Sequence, residues 1–279
     1  MRKRYRFLYA GTASDVSRTG KVVFLDGFDA RSVVRHPDAR YLTRMTTTQT
    51  RPVALVTGAS RGIGRAIALR LAATHDLVLV ARSADKLTAV GRACEAVGAT
   101  VQTMALNLRS VAAVGALADL HVDVLVNNAG VAVLKPFLEM TAEEWNRQVD
   151  VNVNALYHVT RAVLPGMVQR GRGHVCIIGS TAGRNTFVGG TCYTGTKHFV
   201  MGFAESLMLE VRDAGVGVSV VTPGSVATEL FPEGTNTAWM LEPENVADAV
   251  AFAVTAPPHM LVHRLEVRPL SPKRPRSSF

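Results

Sequence analysis

The chain has 279 residues, of which 48% are hydrophobic, so it can form a sizeable buried core and global disorder is excluded. The length suits one large α/β domain or two small ones. The formal net charge of +9 is uneven, because residues 1–44 contain ten Lys or Arg and four Asp, a balance of +6, and the other residues contribute +3. Since the basic excess lies in one terminal segment and the remainder lacks a nucleic-acid motif, we expect no nucleic-acid partner.

Hydropathy and cysteine content indicate the expected relation to membranes and the redox compartment. No run of 18 or more uncharged apolar residues occurs, so we expect neither a membrane span nor a membrane partner. The three cysteines, Cys94, Cys176 and Cys192, form neither a disulfide framework nor a metal-ligand spacing. Their usage predicts free thiols, no bound metal and a reducing compartment, which we take to be the cytoplasm.

Residues 1–51 show no sustained period of 2 or 3.6, and two short apolar runs, at 7–10 and 21–25, are weak strand candidates. We interpret this segment as a poorly structured basic extension without function, or as sequence that precedes a true start at Met45. An Arg-rich organelle-targeting peptide is an alternative, although the four acids argue against it. A basic docking arm is another alternative.

From residue 53 the sequence alternates between strand and helix patterns. Short apolar runs predict seven strands, at 53–57, 77–81, 100–106, 122–126, 174–178, 216–222 and 261–267. Apolar residues at helical spacing predict helices at 63–73, from the cap Ser83 to 97, after Ser110, and at 141–169, 192–213 and 243–256.

Local signals support two of these helices. Thr141 and Glu144 form a capping box at the start of the helix at 141–169, and Pro165 predicts a kink within it. Pro243 stands at the first position of the last helix, where proline is favoured.

The strand and helix patterns together predict the fold class. Strands that are apolar throughout are buried on both faces. Strand–helix repetition then indicates a parallel sheet with helices on both sides. We therefore predict an α/β protein with a single doubly wound seven-stranded parallel sheet of Rossmann type over residues 52–268. A poorly structured N-terminal extension at 1–51 precedes it, a C-terminal tail at 269–279 follows, and no second domain is expected.

A glycine-rich turn follows the first strand, with the sequence Thr57-Gly58-Ala59-Ser60-Arg61-Gly62-Ile63-Gly64. Glycines between a buried strand and a helix allow a tight bend, let a phosphate approach the backbone and direct the helix N-terminus at that anion. The spacing is Gly-x3-Gly-x-Gly rather than Gly-x-Gly-x-x-Gly. The alternative interpretation is a glycine turn without a ligand.

The end of the second strand bears on cofactor choice. An acid at this place would bind the ribose 2′-hydroxyl of NAD, but the residues here are Ala81, Arg82 and Ser83. Arg82 and Arg61 are suited to pair with a 2′-phosphate instead, which favours NADP. The alternative is that both are solvated surface arginines.

Tyr193 and Lys197 are four residues apart in a predicted helix and therefore lie on one face of it. A phenol has a reference pKa of about 10. A fixed ammonium beside it would lower that pKa and let the tyrosine exchange a proton near neutral pH. This spacing is common by chance, so its interpretation depends on the motifs that precede it.

Several motifs in this order resemble the short-chain dehydrogenase/reductase family over about residues 52–268. Residues 57–64 match its cofactor turn, 127–130 (Asn127-Asn128-Ala129-Gly130) its adenine-side motif, and 223–228 (Pro223-Gly224-Ser225-Val226-Ala227-Thr228) the segment that flanks the nicotinamide. The family's catalytic residues correspond to Asn152, Ser180, Tyr193 and Lys197, with thirteen residues from Ser180 to Tyr193.

The resemblance implies an oxidoreductase that transfers a hydride between NADP(H) and a carbonyl or secondary alcohol. It implies that Ser180 and Tyr193 hold the substrate oxygen and that Tyr193 delivers the proton. Lys197 would bond the nicotinamide ribose and Asn152 would hold a water. The implied cofactor-binding residues are Gly58, Ser60, Arg61, Gly62, Ile63, Gly64, Arg82, Ser83, Asn107, Leu108, Asn128, Ala129, Gly130, Tyr193, Lys197, Pro223, Gly224, Val226 and Thr228.

Some residues depart from the family pattern or are ambiguous. The family usually places an Asp against the adenine amino group where this chain has Asn107, so we expect a weaker contact through its carbonyl oxygen. Asn154 lies two residues beyond Asn152 and is interpreted as structural. Cys192 and His198 flank the catalytic residues and are assigned to packing.

The sequence says less about the substrate. Residues 229–241 lie where the family places a substrate lid, and apolar candidates to line the pocket are Phe187, Val188, Phe231, Trp239, Met240 and Leu241. They suit a small ketone, aldehyde or hydroxy acid, and residues 257–269 resemble hydroxy-acid and broad-specificity members. The helices at 141–169 and 192–213 are apolar enough to predict a homodimer or homotetramer.

Two other functions are alternatives. A catalytically inactive NADP-sensing protein on the same fold is the first, although such proteins typically lack the Tyr or the Lys. A basic-tailed protein that binds nucleic acid or a membrane surface is the second, and deletion of residues 1–44 would test it.

Overall fold

In the computed structural model of the protein, residues 51–271 are described, and they contain one seven-stranded parallel sheet. The strands are β1 (Val53–Thr57), β2 (Asp76–Ala81), β3 (Val101–Ala105), β4 (Val124–Asn127), β5 (Gly173–Ile178), β6 (Val216–Pro223) and β7 (Arg264–Val267). Their order is β3-β2-β1-β4-β5-β6-β7, which confirms the predicted Rossmann-type sheet. The strand candidates at 7–10 and 21–25, the N-terminal extension up to residue 50 and the tail beyond 271 lie outside the described residues.

Helices cover both faces of the sheet. They are α1 (Gly62–Leu71), α2 (Ala84–Glu95), α3 (Val111–Gly115), α4 (Ala142–Val149), α5 (Ala155–Arg170), α6 (Thr191–Val211) and α7 (Pro243–Val254). Buried residues of α1, α2 and α7 pack in one hydrophobic cluster, and those of α3, α5 and α6 pack in a second. Between residues 51 and 271, no helix combines the length and apolarity needed to cross a membrane.

The apolar runs are buried as predicted in the five inner strands but not at the two edges. Most residues of β1, β2, β4, β5 and β6 are buried. β3 and β7 contain only exposed or partly buried residues, because each pairs with a single neighbouring strand. The prediction that every strand is buried on both faces was therefore wrong for these two edge strands.

The predicted long helix at 141–169 is interrupted by a change of helical geometry. The capping box of Thr141 and Glu144 is present at its start. Between α4 and α5, Asp150–Asn154 adopt a π-helical turn, and the residues that flank it have right-handed helical dihedral angles. An extra residue in a helical turn displaces backbone groups from the regular ladder, and such turns are frequent at functional sites. Pro165 lies within α5, so the interruption precedes the proline by more than two turns.

Other helix caps and strand boundaries differ slightly from those predicted. Ser83 occupies the N-cap position of α2 without a side-chain capping bond, whereas Ser110 accepts a bond from Ala113 N at 3.3 Å. β4 begins at Val124 and β7 at Arg264, later than predicted. The apolar runs before them extend past the hydrogen-bonded ladder, since apolar composition reports burial rather than strand pairing.

The strand order reverses between β1 and β4, which are adjacent in the sheet. In an open parallel sheet, a crevice forms outside the carboxyl ends of the strands at such a reversal. The glycine turn, the residues after β4, the residue after β5 and the end of β6 all lie at this edge. The topology therefore brings together motifs that are far apart in the sequence.

A partly buried histidine lies in β5 beside β6. His174 Nε2 is 2.7 Å from Ser219 Oγ, and this hydroxyl donates to Val262 O at 2.6 Å. Because a hydroxyl has only one hydrogen, His174 must donate from Nε2. Burial lowers the pKa of His174 to about 4.

We predict that this neutral histidine makes stability depend on pH. Its folded-state pKa is below the ordinary value of 6.5, so its contribution is complete above about pH 6.5 and is lost as the pH falls towards 4. The shift corresponds to about 3 kcal/mol. Urea unfolding between pH 7.5 and 4.5 should show a shallower loss for His174→Gln than for wild type. The exposed His259→Gln is the control, and an identical slope in all three proteins would contradict the prediction.

Candidate active site

The glycine turn after β1 requires glycine for two different reasons. Gly58 and Gly62 have positive φ angles of 67° and 52°, which L side chains rarely adopt. Gly64 lacks space, because a Cβ there would lie 2.2 Å from Gly58 O and 2.5 Å from Asn128 Nδ2. The first turn of α1 is therefore packed directly against the turn that precedes it.

Thr57, the last residue of β1, ties this turn to the segment that follows β4. Its buried hydroxyl accepts hydrogen bonds from Asn128 N and Ala129 N, both at 3.0 Å, and donates to Val126 O at 3.3 Å. Asn128 Nδ2 donates back to Thr57 O at 2.9 Å. Asn128 and Ala129 therefore brace the glycine turn, as expected for a structural motif at the cofactor edge.

The N-terminus of α1 is suited to an anion. Arg61 is the N-cap in an extended conformation, its side chain does not cap the helix, and the first turn contains no acid. The free N–H groups and the helix dipole there favour negative charge. Ser60, Arg61 and Gly62 line a cleft of about 940 Å³.

Cations and acids both line this cleft, the acids being Glu229, Glu233 and Glu244, whereas Arg82 is exposed directly after β2 and is not part of the lining. Within residues 51–271, no salt bridge involves Arg61, Arg65, Arg82 or Lys86. Arg65 and Lys86 line the same cleft as Arg61 and were not identified from the sequence. Arg65 lies one helical turn beyond Arg61, and Lys86 lies in the first turn of α2. These positions could have identified both residues from the sequence. Together with the cradle at Gly64, these cations fit a dinucleotide that carries an additional phosphate.

Residues after β3 line the other side of the crevice. Asn107 Oδ1 accepts a bond from Arg109 N at 3.2 Å, which leaves one acceptor position on that oxygen for an adenine amino group. Leu108 is 8% exposed. Arg109 pairs with Asp150 at 3.0 Å and so connects this loop to the π-helical turn.

Ser180 follows β5 and caps a short 3-10 turn, Thr181–Gly183. Its Oγ accepts a bond from Ala182 N at 3.1 Å. A Cβ at Gly183 would lie 2.7 Å from Lys197 O, so this turn packs closely against α6. The close packing places Ser180 beside the Tyr193 side chain.

Lys197 is buried beneath Tyr193. Its exposure is 8%, and Nζ donates to Ile178 O at 2.9 Å. Nζ is 5.9 Å from the centre of the Tyr193 ring. Burial lowers the pKa of Lys197 to about 8.

The expected electrostatics of Tyr193 must be corrected. We predicted that Lys197 would lower the pKa of this phenol. In the structure, burial raises the pKa of Tyr193, and the nearby Ser180 side chain opposes this rise without cancelling it. The ammonium of Lys197 is directed at the carbonyl group that ends β5, so desolvation dominates at the phenol.

Asn152 lies in the π-helical turn and is 4% exposed. Its Oδ1 accepts from Val131 N and its Nδ2 donates to Val131 O, both at 2.9 Å. The second Nδ2 hydrogen bonds Thr196 Oγ1 at 3.1 Å. Asn154 is exposed and donates to Asp150 Oδ1 at 3.1 Å. Asn152 is therefore buried and connected to the loop after β4, whereas Asn154 lies at the surface.

The segment expected to flank a nicotinamide runs from the end of β6 into the lid. Gly224 N donates to Val267 O at 2.8 Å, and Val226 forms a parallel bridge with Leu241 that joins the two ends of the lid. A Cβ at Gly62 would lie 3.4 Å from Glu229 Oε2 and from Thr228 Cγ2. Thr228 and Glu229 therefore lie close to the glycine turn.

The apolar candidates for the substrate pocket differ in exposure. Phe231, Trp239, Met240 and Leu241 are partly buried. Phe187 and Val188 are 45% and 98% exposed. Their loop is joined to the loop after β4 by a bond from Lys135 N to Gly189 O at 3.0 Å.

The remaining residues that the sequence analysis missed are Thr57, Val131 and Thr196. Thr57 belongs to the glycine-rich turn and Thr196 lies between Tyr193 and Lys197, but nothing in the sequence identified their hydrogen-bond partners. Val131 acts through its backbone, which no residue pattern reveals.

Comparisons with known proteins identify the family. Residues 52–238 match the family model described as short chain dehydrogenase. The chain is 35% identical over 242 residues to the NADP-dependent 3-hydroxy acid dehydrogenase YdfG of Salmonella typhi, which covers 78% of this chain and 95% of the relative.

Two solved structures are similar. A metagenomic short-chain oxidoreductase in complex with NADP has a TM-score of 0.71 and 37% identity, over 80% of this chain and 99% of that one. The closed form of serine dehydrogenase complexed with NADP+ has a TM-score of 0.70 and 33% identity, over 77% of this chain and 94% of that one.

We predict that Gly64→Ala weakens dinucleotide binding by about tenfold or more, since the added Cβ forces the glycine turn to move. Calorimetric titration with NADP+ measures this, and the melting temperature separates it from loss of fold. The control is Gly115→Ala in α3, where a Cβ meets no described atom within 4 Å. Unchanged affinity in Gly64→Ala would contradict the assignment of this turn.

Proposed function

The chain belongs to the short-chain dehydrogenase/reductase family, and we propose that it transfers a hydride between NADP(H) and a carbonyl or secondary alcohol. One observation carries this proposal. Ser180, Tyr193 and Lys197 are gathered at the carboxyl edge of the sheet, which also holds a glycine turn and unpaired cations. Relatives and solved neighbours whose names include NADP support the choice of cofactor.

The residues divide the chemistry between them. NADPH, when bound, supplies the hydride that reduces a carbonyl carbon. Ser180 and Tyr193 hold the substrate oxygen, on which negative charge develops, and Tyr193 donates the proton. Because burial raises the pKa of Tyr193, the phenol carries its proton near neutral pH and is ready to act as an acid.

Lys197 and Asn152 have supporting roles. Lys197 supplies a buried ammonium for the ribose of the cofactor, and burial lowers its pKa to about 8. Both Nδ2 hydrogens of Asn152 already have acceptors. A water beside this side chain would therefore donate a hydrogen bond to an acceptor atom of Asn152. A cavity of about 10 Å³, lined by Asn152 and Lys197 among others, has room for one water.

Cofactor contacts are proposed for the residues that the family motifs match. Gly58, Ser60, Arg61, Gly62, Ile63 and Gly64 would bind the diphosphate, and Arg61, Arg82 and Ser83 the 2′-phosphate. Asn107, Leu108, Asn128, Ala129 and Gly130 would face the adenosine. Pro223, Gly224, Val226 and Thr228 would face the nicotinamide.

The substrate is proposed to be a small hydroxy acid or the corresponding carbonyl compound. The names of the relatives, 3-hydroxy acid dehydrogenase and serine dehydrogenase, support this class. A non-catalytic NADP-sensing protein was the alternative, and no observation favours it, because all three reactive side chains are present.

The organisation of the chain is also a proposal. We infer one catalytic domain at 52–268, flanked by a basic extension and a short tail. We infer a cytoplasmic location, which the free thiols of Cys94, Cys176 and Cys192 support.

We predict that Tyr193→Phe lowers turnover by about 100-fold or more, the usual contribution of a positioned acid, while NADP+ still binds. Absorbance of NADPH against a panel of carbonyls and alcohols measures turnover and identifies the substrate. Tyr157→Phe, at a half-exposed tyrosine of α5, is the control. Retained turnover in Tyr193→Phe would refute the assignment.

Arg82→Asp should move cofactor preference towards NAD. A charge-assisted hydrogen bond to a phosphate contributes roughly 1.5–3 kcal/mol, so the ratio of kcat/KM for NADPH and NADH should fall roughly 10- to 100-fold. Arg92→Asp makes the same charge change on the exposed surface of α2 and serves as the control. An unmoved ratio would count against a phosphate contact.

The chain is predicted to form a homodimer or homotetramer through α5 and α6. Tyr157 and Phe199 are 50% and 41% exposed, and a Cβ at Gly195 or Gly202 meets no described atom within 4 Å. Large apolar side chains beside such gaps allow close approach of a second copy. In sedimentation at micromolar concentration, Phe199→Asp should yield smaller species than wild type or the control Val97→Asp. A monomeric wild type would contradict the prediction.

A further inference from the structure

Thr196 is a buried threonine, 4% exposed, in the turn of α6 between Tyr193 and Lys197. Its hydroxyl donates to Tyr193 O at 2.8 Å and accepts from Asn152 Nδ2 at 3.1 Å. Because the hydroxyl has one hydrogen, these bonds have a fixed direction, from Asn152 through Thr196 to Tyr193.

The orientation of the Asn152 amide is equally determined. A backbone N–H only donates and a carbonyl only accepts, so the two bonds with Val131 place Oδ1 and Nδ2 without ambiguity. One Nδ2 hydrogen remains, and Thr196 is its acceptor. A buried amide hydrogen without an acceptor is costly, so Asn152 depends on the Thr196 hydroxyl.

We propose that Thr196 is a positioning residue for Tyr193. Its hydroxyl connects the π-helical turn, and through Asn152 the loop after β4, to the carbonyl group of the tyrosine. The same turn of α6 is held on its other side by the bond from Lys197 Nζ to Ile178 O at 2.9 Å. The reactive tyrosine is therefore fixed from two directions, and loss of Thr196 removes one of them.

The inference deepens the proposed function and rests on it. Displacement of a reacting group by about 1 Å can cost up to about 100-fold in rate. Loss of one of two anchors should displace Tyr193 less than this. We expect Thr196→Val, which keeps the shape but removes the hydroxyl, to lower kcat by about tenfold. KM and the Kd for NADP+ should change by less than about twofold, because Thr196 itself is not among the residues proposed to bind the cofactor or the substrate.

Thr194 provides a matched control. It is also buried in α6, at 5% exposure, and its hydroxyl donates to a carbonyl one turn earlier, Thr191 O, at 3.5 Å. Thr194→Val therefore removes a similar hydroxyl without taking an acceptor from Asn152. Thr196→Ser keeps the hydroxyl and should restore kcat to within about twofold of wild type.

The experiment compares kcat, KM and NADP+ affinity of wild type, Thr196→Val, Thr196→Ser and Thr194→Val, with melting temperatures. A lower melting temperature with unchanged kcat in Thr196→Val, or failure of serine to restore kcat, would overturn the proposal. In a double-mutant cycle with Asn152→Ala, the two losses should not add, because both variants remove the same bond. Additive losses would also overturn it.

A readout without turnover separates this inference from the proposed function. Hydrogen exchange at the backbone amide of Val131 should be faster in Thr196→Val than in Thr194→Val, since its acceptor Asn152 loses an anchor. A wild type that turns over no carbonyl or alcohol would refute the proposed function. Equal exchange in the two variants would refute the link from Thr196 to Asn152 in either case.

Discussion

The hydroxyl of Thr57 is the interaction on which the site depends. It accepts two consecutive backbone N–H groups, Asn128 N and Ala129 N, and so joins the end of β1 to the end of β4. These two strands are neighbours at the place where the strand order reverses. In open parallel sheets, ligands bind in the crevice at such a reversal. The bond therefore shapes the crevice and holds the glycine turn, whose backbone leaves no room for a side chain at Gly64.

A second polar network holds the reactive residues on the other side of the crevice. Asn152 joins the loop after β4 to the π-helical turn, and Thr196 extends that connection to Tyr193. Buried hydrogen bonds of this kind favour one arrangement of the side chains, because loss of a partner leaves a polar group that is bonded neither to protein nor to water. The buried Lys197 and the desolvated phenol show the electrostatic consequence of the same environment. Burial acts on both groups, and it opposes the charge that the Tyr–Lys spacing alone suggested.

Much of the fold was predictable from the chain itself. Short apolar runs located the seven strands to within a few residues, and the alternation with helices indicated the parallel sheet. The glycine turn, Arg82 and the Ser180, Tyr193 and Lys197 set were recognisable, because each depends on residue type and spacing. Edge strands, strand starts and the π-helical turn were not, since hydropathy reports burial and cannot report which backbone groups pair.

The amino-acid sequence by itself determined the order of elements, the family and the chemical types at the crevice, because these follow from local pattern and covalent spacing. The tertiary structure alone decided how those groups interact: that Lys197 bonds Ile178 O, that burial raises the pKa of Tyr193, and that Thr57 and Thr196 are connecting residues. Desolvation and hydrogen-bond partners arise from neighbours that are distant in the chain. The sequence pattern therefore identifies the chemical groups of the site, and tertiary packing determines their protonation and position.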